Sequence, residues 1–155
     1  MATPLDDIDR RLLAAIQTDA RLPQAALGAR VGLSAAAVNR RLRRLTDEGY
    51  VTGTAAVLAP ELLGHALTVI AQVEVESEQA TPLDQVQAAF LSCPQVQQCY
   101  NVTGDCDFVL VFLLRDMPQY LQLTRELFYG NPNVRRFKTL VVLDRTKVSL
   151  DVPLA

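Results

Sequence analysis

The feature that most constrains this chain is a change of hydrophobic rhythm near its middle. From Leu5 to Ile16 the apolar residues Leu5, Ile8, Leu12, Leu13 and Ile16 fall on one face of an α-helix. Beyond Leu67 they come in dense β-prone blocks, LTVIAQVEV and FVLVFLL, interleaved with two stretches of helical spacing. Two rhythms imply two units with separate cores, and 155 residues with 50% hydrophobic content are enough to build both.

In the first half, a break at Asp19-Ala20-Arg21-Leu22 is followed by Pro23, which suits the first turn of a short helix over 23–30. Val31-Gly32-Leu33-Ser34 then combines a turn glycine with a serine placed to cap a third helix. The apolar positions Val38, Leu42 and Leu45 of that helix share one face, and Gly49 closes it. Three helices with a tight turn between the last two form a helix-turn-helix. The β-prone run Tyr50–Leu58 reads as a small wing or a strand leading out, and Ala59-Pro60-Glu61-Leu62-Leu63-Gly64 as a linker turn.

The second half orders as β-α-β-β-α-β: strands over 67–75, 96–103, 108–114 and 134–143, helices over 82–91 and 118–129. That is the ferredoxin-like arrangement, with both helices on one face of the sheet. The expected fold class is therefore α+β, with a (winged) helix-turn-helix domain at 1–53, a linker strand and hinge at 54–64, and a ferredoxin-like domain at 65–155. The uncovered sheet face is too apolar for a solvated monomer, which points to dimerisation through it.

Charge is distributed unevenly. Residues 1–64 hold eight arginines against seven acids, a net of +1, whereas residues 65–155 hold seven basic residues against ten acids, a net of −3. Five arginines and no acid lie within positions 30–45, so the acidic total hides a basic stripe. No apolar run is long enough to cross a bilayer, and the acidic start MATPLDDIDRRLL is unlike a signal peptide, so a cytoplasmic location is expected. Cys93, Cys99 and Cys106 lack paired spacing, and His65 is the only histidine; neither disulfide framework, metal site, cofactor nor catalytic residue is expected.

Counting about 100° per residue along the third helix, Arg40, Arg43 and Ala36 point away from Val38, Leu42 and Leu45. Arg44 lies beside them, with Asn39 and Arg41 on the flanks. A solvated helix mixes signs to form i,i+4 pairs, but no acid occurs between Asp19 and Asp47. The expected partner is double-stranded DNA, with this helix in the major groove. Ser34, Ala35, Ala36, Asn39 and Arg40 are placed for base edges: Asn39 for adenine, Arg40 for guanine, the alanines for thymine methyls. Helix propensity alone also accounts for the alanines. Arg43, Arg44 and Arg30 are placed for phosphates.

These stretches, together with the linker LAPELLG, the turn VTGDCDFVLVF, DMPQY and NPNVRRFKTLVVLDRTK, resemble the Lrp/AsnC, or feast/famine, family of transcriptional regulators over nearly the whole chain. The resemblance implies a homodimer that often assembles further, to tetramers, octamers or hexadecamers, and binds a small effector, commonly an amino acid, between dimers. It places the effector loop at Thr103, Gly104, Asp105, Cys106 and Asp107, with Asn101 before it and Leu140 and Val142 near the pocket. Such a loop suits an amino acid: glycine turns backbone amides towards a carboxylate, and an aspartate receives an ammonium group. A plain hairpin turn has the same composition. Two rivals remain: an enzyme similar to the sirohaem decarboxylases, which rely on histidines, and an effector sensor that does not bind DNA.

Overall fold

The structure is a computed structural model in which residues 3–154 are described. The chain divides into two compact units, Met1–Val57 with Lys147–Ala155, and Leu58–Thr146.

In the first unit α1 spans Asp7–Thr18, and Asp6 and Asp9 cap it reciprocally, each carboxylate accepting from the other's backbone N–H. The helix therefore starts after Asp6 and not at Leu5. The second helix, α2 (Gln24–Val31), has Pro23 at its N-cap and ends on Gly32, whose φ of 74° is left-handed. In α3 (Ala35–Asp47) the Ser34 hydroxyl accepts from the Ala37 N–H at 3.2 Å, the cap expected from the sequence. Leu12, Leu27, Val31 and Val38 are buried together, with Ile8, Leu22, Leu33 and Leu42 packed around them. Each contributes about 2 kcal/mol by leaving water. A Cβ on Gly28 would lie 2.3 Å from the Leu33 carbonyl oxygen, so a bare backbone is what lets α2 approach the turn this closely.

Two expectations change in this unit. Residues 51–59 form no strand, and Val57 is fully exposed, because no neighbouring strand pairs with them within the described residues. Lys147–Ala155, which the sequence reading assigned to the second domain, groups with the first. There the Gln17 amide grips the backbone of Val152 at both ends, donating to its carbonyl and accepting from its N–H, each at 3.1 Å.

The second unit contains β1 (Leu67–Val75), α4 (Ala80–Ser92), β2 (Val96–Asn101), β3 (Phe108–Leu114), α5 (Met117–Thr124) and β4 (Val134–Val141). A 3-10 turn, Glu61–Leu63, precedes them, and a π-turn, Arg125–Tyr129, ends what reads in sequence as one helix over 118–129. The strands pair antiparallel in the order β2-β3-β1-β4. Strand alternation puts Val69, Ala71, Val73 and Val75 with Phe108, Leu110, Phe112 and Leu114 under the helices, where Phe90, Tyr120 and Phe128 close the core. The opposite face is divided. Ile70, Val109, Val111, Leu113 and Leu140 are its apolar residues, and Gln72, Glu74, Arg136 and Lys138 are polar positions on β1 and β4.

Candidate nucleic-acid interface and effector loop

The four arginines of α3 divide into two pairs with different partners. Arg41 donates from Nη1 to Asp6 Oδ2 at 2.6 Å and to Asp9 Oδ1 at 2.8 Å, and Arg44 donates from Nη2 to Asp9 Oδ2. Asp9 is 1% exposed, so these two cations neutralise a carboxylate that the fold has removed from water. Burial alone raises the Asp9 carboxyl, but hydrogen bonds from Arg41 and Arg44 outweigh it and hold the group below the usual carboxylate range. The Asp6 carboxyl is lowered too, first by the Asp9 backbone N–H and then by Arg41.

Arg40 and Arg43 are exposed and have no acidic partner among the described residues, and the same holds for Arg30 at the end of α2. Ser34, Ala35, Ala36 and Asn39 are exposed with them. Of the residues expected to face DNA, all but Arg44 are exposed. Arg44 is drawn onto Asp9 and only 32% of its side chain is exposed, so its charge is already engaged. One exposed contact joins α2 to α3: the Gln24 side-chain Nε2 donates to Asn39 Oδ1 at 3.1 Å.

The β2–β3 connection, residues 102–107, carries the loop expected to hold an effector. Gly104 has a φ of 124°, a conformation that glycine adopts without strain. Asp107 ties the start of β3 to the end of β1: its N–H donates to the Val73 carbonyl at 2.9 Å, and its Oδ2 accepts from the Val75 N–H at 2.7 Å. Asp105 and Cys106 instead line an open hollow of about 500 Å³ with Gln72, Glu74, Arg136, Phe137 and Lys138. Burial, then Asp107 and Asp105, push the Cys106 thiol up. Asn101 and Thr103 are exposed at the loop's entrance.

Leu140 and Val142 are not brought to this hollow within one chain. Val142 lines a second hollow of about 290 Å³ with Glu61, Ala66, Thr68 and Arg145, towards the opposite end of β4 from Arg136. Among the described residues no cluster of three or more His, Cys, Asp or Glu side chains is placed to hold a metal ion. Nor is any helix long and apolar enough to cross a membrane.

Known proteins resemble the chain from end to end. Residues 5–52 match the winged helix-turn-helix DNA-binding family and residues 68–152 the Lrp/AsnC ligand binding domain. An uncharacterized HTH-type transcriptional regulator of Sinorhizobium fredii is 38% identical over 153 residues, covering 99% of this chain and 90% of its own. The leucine-responsive regulatory protein of Salmonella typhimurium is 34% identical over 145 residues, covering 94% and 88%. A transcriptional regulator of Neisseria meningitidis, solved in complex with L-methionine, superposes with a TM-score of 0.92 at 28% identity, over 97% of each chain.

Proposed function

The chain belongs to the Lrp/AsnC family of DNA-binding transcriptional regulators, and from that premise we propose that it is a sequence-specific regulator whose DNA binding or assembly responds to an amino acid. The observation that carries the DNA reading is the division of the arginines: Arg41 and Arg44 are held by Asp6 and Asp9, while Arg40, Arg43 and Arg30 are exposed and without acidic partners among the described residues. With α3 in the major groove, Ser34, Ala35, Ala36, Asn39 and Arg40 meet base edges and Arg43 and Arg30 meet phosphates. Arg44 serves the interface indirectly, by fixing α3 on α1.

The effector site is proposed at Thr103–Asp107, with Asp105 receiving an ammonium group beside Gln72, Glu74 and Arg136. The L-methionine complex of the Neisseria relative favours an amino acid as the ligand class. Leu140 and Val142 join this site only if a second copy supplies them, which accords with an effector bound between dimers. The apolar patch around Ile70, Val111 and Leu140 supports a homodimer formed through the sheet, from which larger assemblies grow. The chain acts in the cytoplasm and without catalysis; a sirohaem-decarboxylase-like activity gains no support from His65, its only histidine.

Titration of duplex DNA binding against salt tests the regulator reading. Affinity that falls steeply as salt rises supports it, and no binding even at low salt rejects it in favour of a sensor without DNA. A thermal-shift series over the twenty amino acids tests the effector class, since a ligand that prefers the folded state raises its melting temperature.

A further inference from the structure

Two stretches of the first unit have the sequence of a strand and no strand beside them. Residues 148–154 alternate strictly, with Val148, Leu150, Val152 and Leu154 on one side and Ser149, Asp151 and Pro153 on the other, the period of a strand that buries one face. The apolar side is nonetheless bare: Val148 is 56%, Leu150 86% and Val152 60% exposed. Residues 51–57, VTGTAAV, are β-prone, exposed apart from Val51, and lie in a run without charge from Gly49 to Pro60. Among the described residues no backbone hydrogen bond joins 52–57 or 148–150 to another segment. Sheets guard such edges with charge or cover them, and no charge guards 51–57. Val152 shows how the later segment is met where it has a partner. The Gln17 amide bonds both its N–H and its carbonyl, the pattern an antiparallel neighbour makes with one residue.

We propose that residues 148–154 are an exchange arm, which in the homodimer adds as a strand to residues 51–57 of a second copy. This rests on the homodimer reading above and extends it to the DNA-binding unit. The occupant is a second copy because the chain itself carries both halves of the pair, of comparable length, and leaves them unpaired within one copy. The small side chains of Gly53, Ala55 and Ala56 leave room beside them for Val148 and Leu150. Strand addition of this kind draws its affinity from main-chain bonds and its selectivity from alternate side chains. Two-fold symmetry gives each arm a receiver, so the exchange is reciprocal and closes on itself. Tied in this way, the two helix-turn-helix units of a dimer address DNA as a pair and not independently.

The test is amide hydrogen exchange and sedimentation of the full chain, wild type and the variants L150D, V148D and S149D, above and below the concentration at which dimers dissociate. Val148 and Leu150 are exposed in one copy, so a charge there leaves the folded monomer as it is, and S149D carries the same charge on the polar side of the arm. In the wild-type dimer the amides of 52–57 are expected to exchange about tenfold more slowly than in the monomer. L150D and V148D are each expected to weaken the dimer by about tenfold and to return those amides to the monomer rate, while S149D changes neither. Dimers in which 52–57 exchange at the monomer rate overturn the arm. So does slow exchange that survives both L150D and V148D, or that is lost equally in S149D. Equal protection in monomer and dimer overturns it too, since the pairing is then within one chain. A wild-type chain that stays monomeric at every concentration overturns the homodimer reading itself, a result distinct from these.

Discussion

Arg41 Nη1 lies 2.8 Å from Oδ1 of Asp9, and that carboxylate, 1% exposed, is the only acid of α1 withdrawn from solvent. The pairing fixes α3 on α1 through its charged flank as well as through Leu12 and Val38. Two of the four arginines that look like a DNA-binding stripe are therefore part of the fold.

Replacing Asp9 by alanine is expected to destabilise the helix-turn-helix unit by about 3 kcal/mol, because Arg41 and Arg44 lose their shared carboxylate. Arg44→Ala is expected to lower stability while leaving the affinity of the folded protein for random duplex within about twofold. Thermal unfolding and DNA titration on the same samples check both. A large affinity loss without destabilisation in Arg44→Ala would return that residue to the phosphate contacts.

The same network gives an acid dependence. Asp6 and Asp9 have carboxyls held below their ordinary value of 3.8, so the unfolded chain binds their protons first as pH falls. Their contribution is full above about pH 4, the ordinary carboxylate range, and is lost as pH drops through the lowered folded values. Denaturant titrations between neutral and acid pH are expected to show this loss in the wild type and a smaller one in Asp9→Asn.

Arg40→Ala is expected to reduce the preference for the operator over random duplex by about tenfold, since it removes a base contact. Arg43→Ala should weaken both alike and lower the salt dependence by about one counterion. Competition binding at two salt concentrations separates them, and equal effects would reject the division of roles.

Gly28→Ala is expected to cost about 1–3 kcal/mol, since the new methyl meets the Leu33 carbonyl and backbone cannot turn aside as a side chain does. Gly53→Ala, where a Cβ meets nothing within 4 Å, is the matched control. Melting temperatures of the two variants decide the matter.

In the second unit the two loop aspartates should part company. Asp107→Ala leaves the Val75 N–H without its acceptor and is expected to destabilise by about 1–3 kcal/mol. Asp105→Ala is expected to leave the dimer folded but to abolish effector-dependent change in assembly. Sedimentation with and without the amino acid that raises the melting temperature checks the second, and unfolding checks the first.

Much of the architecture is legible in the chain because period and punctuation agree. Gly32-Leu33-Ser34 marks the turn and cap before α3, and the dense β-prone blocks LTVIAQVEV and FVLVFLL give β1 and β3 to the residue. That residues 51–59 form no strand is not legible. Tyr50–Leu58 has strand propensity, but propensity does not supply a neighbouring strand. Nor does charge counting reveal which arginines are engaged, since Arg41 and Arg44 meet acids that are 32 and 35 residues away in sequence. A trace of this was present: Asp9 shares the i, i+3, i+4, i+7 spacing of Leu12, Leu13 and Ile16, which places a carboxylate on the buried face of α1 and calls for a cation opposite it. Gln24 left no such trace, because an amide pair between helices has neither period nor charge.

The grip of Gln17 on Val152 also bears on the order in which the protein is made. A ribosome delivers α1 before Leu58–Thr146 and Val152 after it, and that stretch emerges between them unbroken. The effector unit therefore has all its strands available before the DNA-binding unit has its final segment. A nascent chain completes the half that senses before it completes the half that binds.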